Sequence, residues 1–158
     1  MVTNVFSVVR DRIDTYQTDN TSDDVLQILR NSLVETGFDV EAGKTKANKL
    51  FRPVFFGENG KPERQYEIDA YHPGEKIALE VEAGRSVLGN AIYRDIVQMS
   101  LMVDAKYAVI AVPLVYRYNS SGKILDSKPY QNCRSILDAI YSGRRLVLPF
   151  EGLLLIGY

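Results

Sequence analysis

The sequence predicts an α/β domain in which helices flank a mixed β-sheet. Apolar residues repeat at helical spacing in several segments, whereas residues 107–113 form a continuous apolar run, typical of a strand buried on both faces. The elements follow the order helices, β-meander, helix, strand and helix, which indicates a sheet covered by helices. The length of 158 residues suits one domain with a substantial core, so we expect residues 1–158 to form a single unit.

Two helices are predicted before the first strand. Residues 4–16 carry one apolar stripe, and the polar segment 18–22 then interrupts the pattern. Thr21 or Ser22 can cap the second helix, which Gly37 ends. The stripe of the first helix is Val5, Val8, Val9 and Ile13, and that of the second is Val25, Leu26, Leu29, Leu33 and Thr36.

A β-meander is predicted next. Residues 38–42 alternate as a short strand, and residues 52–56 form a second strand that leads, through a turn at 58–61, into the next. Residues 64–71 then form a strand, 72–75 a turn and 76–83 the returning strand.

The second half of the chain changes period. Residues 89–103 show helical spacing, and the buried strand 107–113 follows. We expect the polar segment 116–129 to be irregular, with a turn at 119–122. The remaining predicted elements are a helix over 131–141 and short strands over 146–148 and 153–156.

Three carboxylates on the predicted hairpin suggest a metal site. Side chains alternate across a strand, so Glu80 and Glu82 share one face while Leu79 and Val81 take the other. The hairpin places Asp69 beside this pair. Three like charges so close repel one another unless a cation joins them or one stays protonated. Hard carboxylate oxygens suit Mg²⁺ or Mn²⁺.

A plainer interpretation is that these acids are solvent-facing positions of an amphipathic hairpin. Acids at i and i+2 on a strand often arise by chance. The apolar Leu79 and Val81 favour the metal site, because a strand with such neighbours should be central, where exposed acids are less expected.

Composition bounds the function. The formal charge is −1 and the pI about 5.9, which argues weakly against a dedicated nucleic-acid coat protein. We find no apolar run of transmembrane length and no signal-peptide pattern, so we expect a cytoplasmic protein without membrane contact. The single Cys133 cannot form an internal disulfide, and it is either a packed helix residue or a nucleophile. One cysteine and one histidine make a structural zinc site improbable.

Positive charge is concentrated before the hairpin, at Lys44, Lys46, Lys49 and Arg52. Such a strip beside an acidic centre fits a protein that holds phosphates near a metal, and Lys44 and Lys46 are our candidates for this contact. An ordinary solvated loop explains the same residues equally well.

The order of elements and the acidic motif resemble the PD-(D/E)XK nuclease superfamily. Glu67-Ile-Asp69 followed by Ile77-Ala-Leu-Glu-Val-Glu82 is similar to the family's Asp and Glu-x-Lys pattern, and the resemblance covers roughly residues 23–113. It implies a restriction-endonuclease-like fold with a core of helix, three-stranded meander, helix and strand. It also implies that Asp69 and Glu80, with the backbone carbonyl of Val81, hold Mg²⁺, with Mn²⁺ as the alternative ion.

Glu82 departs from this pattern, since the family usually has lysine there. In an active enzyme, a glutamate at this position can bind a second metal ion or accept a proton from water. The same residue also fits an inactive relative. Arg85 either supplies the missing positive charge or faces solvent.

Several further residues carry two interpretations each. Arg94 and Gln98 lie one helical turn apart, so they either face the site, contacting phosphate and orienting a ligand, or are exposed. Glu67 joins the acids or pairs with a lysine. Asp24 and Glu35 are either the extra acid that some relatives place on this helix or ordinary residues near helix ends. His72 is either a turn residue or catalytic. The numerous tyrosines are either half-buried core residues or stacking surfaces for bases.

The leading hypothesis is a metal-dependent DNA endonuclease that cleaves phosphodiester bonds. Its partners would be DNA and, for target choice, a second copy or another subunit. The alternative is a catalytically inactive interaction or DNA-binding module with the same fold. A hydrolase of another fold acting on small phosphate esters is a third hypothesis, although no glycine-rich phosphate loop or histidine cluster supports it.

Overall fold

Five strands form a mixed sheet at the centre of the protein, in the order β1-β4-β5-β6-β9, and two hairpins, β2-β3 and β7-β8, lie outside it. We describe a computed structural model that covers residues 2–84 and 90–158. The strands are β1 Asp39–Val40, β2 Leu50–Phe56, β3 Pro62–Ile68, β4 Ala70–His72, β5 Ile77–Val81, β6 Tyr107–Val112, β7 Tyr116–Ser120, β8 Lys123–Ser127 and β9 Gly152–Gly157.

Five α-helices accompany the strands within the described residues, together with a 3-10 turn at Lys46–Asn48. The helices are α1 Val2–Val8, α2 Arg10–Ile13, α3 Ser22–Glu35, α4 Ala91–Leu101 and α5 Pro129–Gly143. The predicted cap of α3 is confirmed. Thr21 accepts a hydrogen bond from the Asp24 N–H, and the Asp24 carboxylate accepts one from the Thr21 N–H, which completes a capping box. None of these helices is both long and apolar enough to cross a bilayer.

Strand β5 lies at the centre of the sheet, as the apolar residues Leu79 and Val81 predict. It pairs antiparallel with β4, where Ala70 faces Leu79, and parallel with β6, where Val81 faces Ala111. Leu79 and Val81 pack into an apolar layer with α1, α2 and α3. Ala78 and the inward residues of α4 and α5 form the layer on the other side. A mixed sheet flanked by helices is therefore confirmed.

The strand predicted over residues 64–71 is wrong in one respect, because it is divided at Asp69. Strand β3 ends at Ile68 and pairs with β2, whereas β4 begins at Ala70 and pairs with β1 and β5. The chain thus passes from one sheet to another at the candidate metal ligand. Alternation of residue types continues through such a change of partner, so the sequence does not reveal it. The returning strand is also shorter than predicted, since Lys76 still belongs to the turn with a φ of 57°.

Three other predictions need correction. The first helix is interrupted at Val9, whose φ of −109° and ψ of 12° separate α1 from α2. Residues 116–129 contain the hairpin β7-β8, although the predicted turn at 119–122 is confirmed by a hydrogen bond from the Gly122 N–H to Oδ1 of Asn119. Residues 146–148 form no strand, and Val147 is 86% exposed, because an apolar run this short specifies no strand partner.

Candidate active site

A cavity of about 430 Å³ opens where β5 ends. The predicted acids line this cavity together with two positively charged side chains. The lining residues come from β5 and α4 and from the segments around β1, β2 and β3. Its charged lining residues are Glu41, Lys49, Glu67, Asp69, Glu80, Glu82 and Arg94. The polar residues Gln65 and Gln98 also line it.

Asp69 is held in place by the backbone of two neighbouring strands. Its Oδ2 accepts a hydrogen bond of 2.7 Å from the Val81 N–H, and its carbonyl oxygen accepts one of 2.9 Å from the Glu41 N–H. Desolvation in the cavity wall raises the pKa of Asp69 to about 6, although the bond from Val81 opposes this shift. The carboxylate is therefore oriented by the fold and costly to ionise without a cation.

Glu80 lies on the same face of β5 as Glu82, as alternation predicts. Desolvation, followed by the negative charges of Asp69 and Asp95, raises its pKa well above the ordinary value. The shift has the sign expected of carboxyl groups crowded together away from water.

Glu82 is paired with a cation from helix α4. Its Oε1 accepts a hydrogen bond of 3.0 Å from Nη2 of Arg94, and its side chain is 15% exposed. Desolvation and the nearby Asp95 raise the pKa of Glu82 to about 7, while Arg94 acts in the opposite direction.

Asp95 is an acid that we did not predict from the sequence. It is fully buried, and its Oδ1 accepts a hydrogen bond of 2.9 Å from Nε of Arg94, whereas Oδ2 has no hydrogen-bond partner among the described residues. A signal was present in the sequence, because Asp95 falls on the apolar stripe of α4 that includes Ile92, Ile96 and Met99. A charged residue on such a stripe marks a buried polar site.

Lys49 is the second residue missed. Its Nζ lies 2.8 Å from Oε1 of Glu41, whose side chain is only 4% exposed, and 3.6 Å from Oε2 of Glu67. The lysine pairing expected for Glu67 is thereby confirmed. The sequence places Lys49 in the basic segment but offers no signal that it, rather than its neighbours, faces the acids.

The other predicted contacts are divided between cavity and surface. Arg94 and Gln98 line the cavity together. Lys44 instead forms an exposed ion pair of 2.7 Å with Asp23, and Lys46 is exposed in the 3-10 turn, so neither is among the lining residues described. Arg85 lies outside the described residues.

The plainer interpretations hold for three other residues. Asp24 caps α3, as described above. His72 is the last residue of β4, directly before the turn to β5, where its Nε2 lies 3.1 Å from the Thr36 carbonyl oxygen and its Nδ1 accepts a hydrogen bond from the Glu75 N–H. Cys133 lies on the buried face of α5, in the apolar layer that this helix forms with the sheet.

One geometric expectation is not met. Within residues 2–84 and 90–158, no group of three or more histidine, cysteine, aspartate or glutamate side chains is arranged to hold a metal ion. The convergence of Asp69, Glu80 and Glu82 on a single ion, which the alternation of the hairpin predicts, is therefore not seen. The three acids line one cavity without forming a cage.

Comparison with known proteins gives one match. No curated protein and no solved structure matches the chain significantly. A family model described as "Putative halobacteria restriction endonuclease" matches residues 11–158, nearly the whole chain. The chain therefore belongs to this family, and the kinship with restriction endonucleases inferred from its acidic motif is confirmed.

Proposed function

We propose that this protein is a Mg²⁺-dependent DNA endonuclease that hydrolyses phosphodiester bonds at the cavity around Asp69 and Glu80. One observation carries the proposal: Asp69, Glu80 and Glu82 line one cavity where β5 ends, and their crowding away from water raises the pKa of each. Acids that are costly to ionise destabilise the folded protein. Such a group of acids is therefore expected at a site that binds a cation or transfers a proton. Membership of a family named for restriction endonucleases supports the choice of DNA as substrate.

The residues fit a hydrated Mg²⁺ better than an enclosed one. Mg²⁺ usually keeps several waters and binds through one or two carboxylates, so the pair Asp69 and Glu80 suffices without a third acid. The Val81 carbonyl is our candidate for a further ligand. Mn²⁺ prefers the same hard oxygen ligands and is expected to substitute. The bound ion would supply a Lewis acid for the phosphodiester and a lowered pKa for a coordinated water.

Glu82 is the candidate general base. A base works best when its pKa lies near the operating pH, and the pKa of Glu82 is raised to about 7. Its carboxylate is kept in one orientation by Arg94, as described above. Glu82 would accept the proton of the attacking water. Asp69, whose orientation is fixed by the hydrogen bond from the Val81 N–H, would keep the substrate-binding side of the cavity in a fixed position.

Lys49 and Arg94 supply positive charge on two sides of the cavity. Both line it, and the Arg94 side chain is 59% exposed, so its guanidinium remains able to reach a phosphate oxygen. Gln98, one turn further along α4, would orient the bound phosphate through its amide. The exposed Lys44 and Lys46 would contact the DNA backbone beyond the cavity, where charge alone contributes affinity.

Two sites allow both strands of a duplex to be cut in one binding event. A symmetric dimer provides them most simply, so we propose that a second copy, or a partner subunit, completes the enzyme on DNA.

The test is a cleavage assay with plasmid and with single-stranded DNA in Mg²⁺, Mn²⁺ or EDTA. Asp69→Asn and Glu80→Gln keep the shape of the side chains and remove the charge, and we expect each to lower the rate by about 100-fold or more. Glu58→Gln is the matched control, because Glu58 is an exposed acid in the turn before β3. Cutting that persists equally in all variants would contradict the proposal. A protein that binds DNA but never cuts it, with or without metal, would instead be the inactive module.

A further inference from the structure

Two tyrosine rings stand parallel on the hairpin β7-β8. The ring centroids of Tyr116 and Tyr118 are 6.3 Å apart and their planes differ by only 12°. The two residues share one face of β7 because they are two positions apart on a strand. Both side chains are only half-buried, so their rings are accessible from the hairpin surface.

The hairpin is fixed against the segment that follows α2. Oγ1 of Thr15 donates a hydrogen bond of 3.0 Å to the Val115 carbonyl oxygen, just before β7 begins. The guanidinium carbon of Arg117 lies 4.0 Å from the ring centroid of Tyr16, and Arg117 also pairs with Asp126 on β8 at 3.1 Å. These contacts position the tyrosine pair before any ligand binds.

A second cavity, of about 480 Å³, lies at this pair of rings. It is lined by Tyr116 and Tyr118 and by groups that can donate or accept hydrogen bonds, namely Thr15, Thr18, Asp19 and Asn119. Flat aromatic surfaces combined with polar groups at their rim match the character of a nucleobase, which has a π-face and a polar edge.

This second cavity is next to the carboxylate cavity. Gly84 follows Glu82 by two residues, and a Cβ atom added at Gly84 would collide with the ring of Tyr116. The backbone just beyond the end of β5 thus packs on the ring of Tyr116. A DNA strand with its phosphate at the acids would have neighbouring nucleotides within reach of the rings.

We propose that Tyr116 and Tyr118 form a stacking platform for an unpaired nucleobase of the DNA strand. This inference rests on the proposed function, because it takes DNA as the ligand of the adjacent site. The platform assigns a substrate class: DNA that presents an unpaired base beside the scissile position, as a single strand or a locally opened duplex. In a duplex, the base beside the scissile position would have to leave the stack to reach the platform.

The binding test requires no catalysis. The chain contains no tryptophan, so Tyr118→Trp introduces a sole tryptophan whose fluorescence a stacked base quenches. We expect quenching in EDTA by a single-stranded oligonucleotide of about 12 nucleotides, a length within known single-strand site sizes. Tyr141→Trp is the matched control, because Tyr141 is 52% exposed on α5 and should show no quenching.

Affinity for the same labelled oligonucleotide, measured by anisotropy, provides a second readout. Tyr118→Leu should bind about 5- to 150-fold more weakly, whereas Tyr118→Phe should keep the wild-type affinity. Unchanged affinity of Tyr118→Leu, or equal quenching in the Tyr141→Trp control, would overturn the platform even if the enzyme cuts DNA. Quenching and weakened binding in a protein that fails to cut would leave the platform standing and refute the proposed catalysis alone.

Discussion

Nη2 of Arg94 donates a hydrogen bond of 3.0 Å to Oε1 of Glu82. In the resemblance inferred from the sequence, Glu82 stands where the PD-(D/E)XK pattern usually has lysine, so this segment would bring no positive charge there. The arginine from α4 supplies a positive charge, and it also contacts the buried Asp95. Within the described residues, Arg94 thus brings a positive charge to Glu82 from helix α4, while Arg85, the sequence-based candidate for that role, lies outside them.

Arg94→Gln should lower the cleavage rate roughly 10- to 100-fold, the effect typical of a group that orients catalytic residues. Loss of the guanidinium removes the interaction that opposes the raised pKa of Glu82, so the rate should also rise at a higher pH than in the wild type. A pH–rate profile measures both effects. Arg94→Lys should recover part of the rate, and Arg134→Gln, at an exposed position of α5, should behave as wild type. An unaltered profile of Arg94→Gln would contradict this role.

The metal-free protein should lose stability as the pH rises from about 4 to about 7. The pKa of Asp69 is raised from 3.8 to about 6 and that of Glu82 from 4.5 to about 7, so over this window the folded state binds more protons than the unfolded state. The acids together should lower the free energy of unfolding by a few kcal/mol, on the order of 1.4 kcal/mol for each unit by which a pKa is raised. Thermal melting in EDTA across this window measures it. Glu80→Gln should flatten the pH dependence, and stability that rises across the window in the wild type would refute the crowding of the acids.

Mg²⁺ should stabilise the folded protein at neutral pH by about 3 kcal/mol when its concentration is 100 times the dissociation constant. The physical reason is that the ion binds the folded arrangement of Asp69 and Glu80 and not the unfolded chain. Melting temperature as a function of Mg²⁺ concentration is the measurement. Asp69→Asn should show no such increase, whereas the surface control Glu58→Gln should show all of it. An equal increase in every variant would indicate binding elsewhere.

Lys49→Met should destabilise the protein by about 1–3 kcal/mol, because it leaves the Glu41 carboxylate unpaired at a side chain that is only 4% exposed. Glu41→Gln should relieve this cost, so the double variant should be more stable than Lys49→Met alone. Urea unfolding of the four proteins in the cycle gives the coupling between the two residues. Additive changes would show that the pair makes no net contribution.

Thr21→Ala should cost about 1 kcal/mol in the free energy of unfolding, since it removes the side chain that caps α3. Thr21→Ser retains the hydroxyl and should remain within a few tenths of a kcal/mol of the wild type. Both values come from urea unfolding at a single pH. Equal destabilisation by alanine and serine would assign the effect to the lost methyl group instead.

The sequence by itself determined the elements whose patterns are local. Helical spacing and a capping pair define α3, a continuous apolar run defines β6, and strict alternation places Glu80 and Glu82 on one face of β5. These features depend on residues within a few positions of one another, so their physical causes are visible in the chain.

Only the tertiary structure decided which groups surround the acids. The division of the strand at Asp69, the pairing of Lys49 with Glu41 and the contact between Arg94 and Glu82 join elements with no common local pattern. Periodicity reports how a segment is buried but not what it is buried against. Asp69, Glu80 and Glu82 could therefore be predicted as neighbours from the sequence, whereas the presence of Glu41 and the charges of Lys49 and Arg94 depend on how the elements pack.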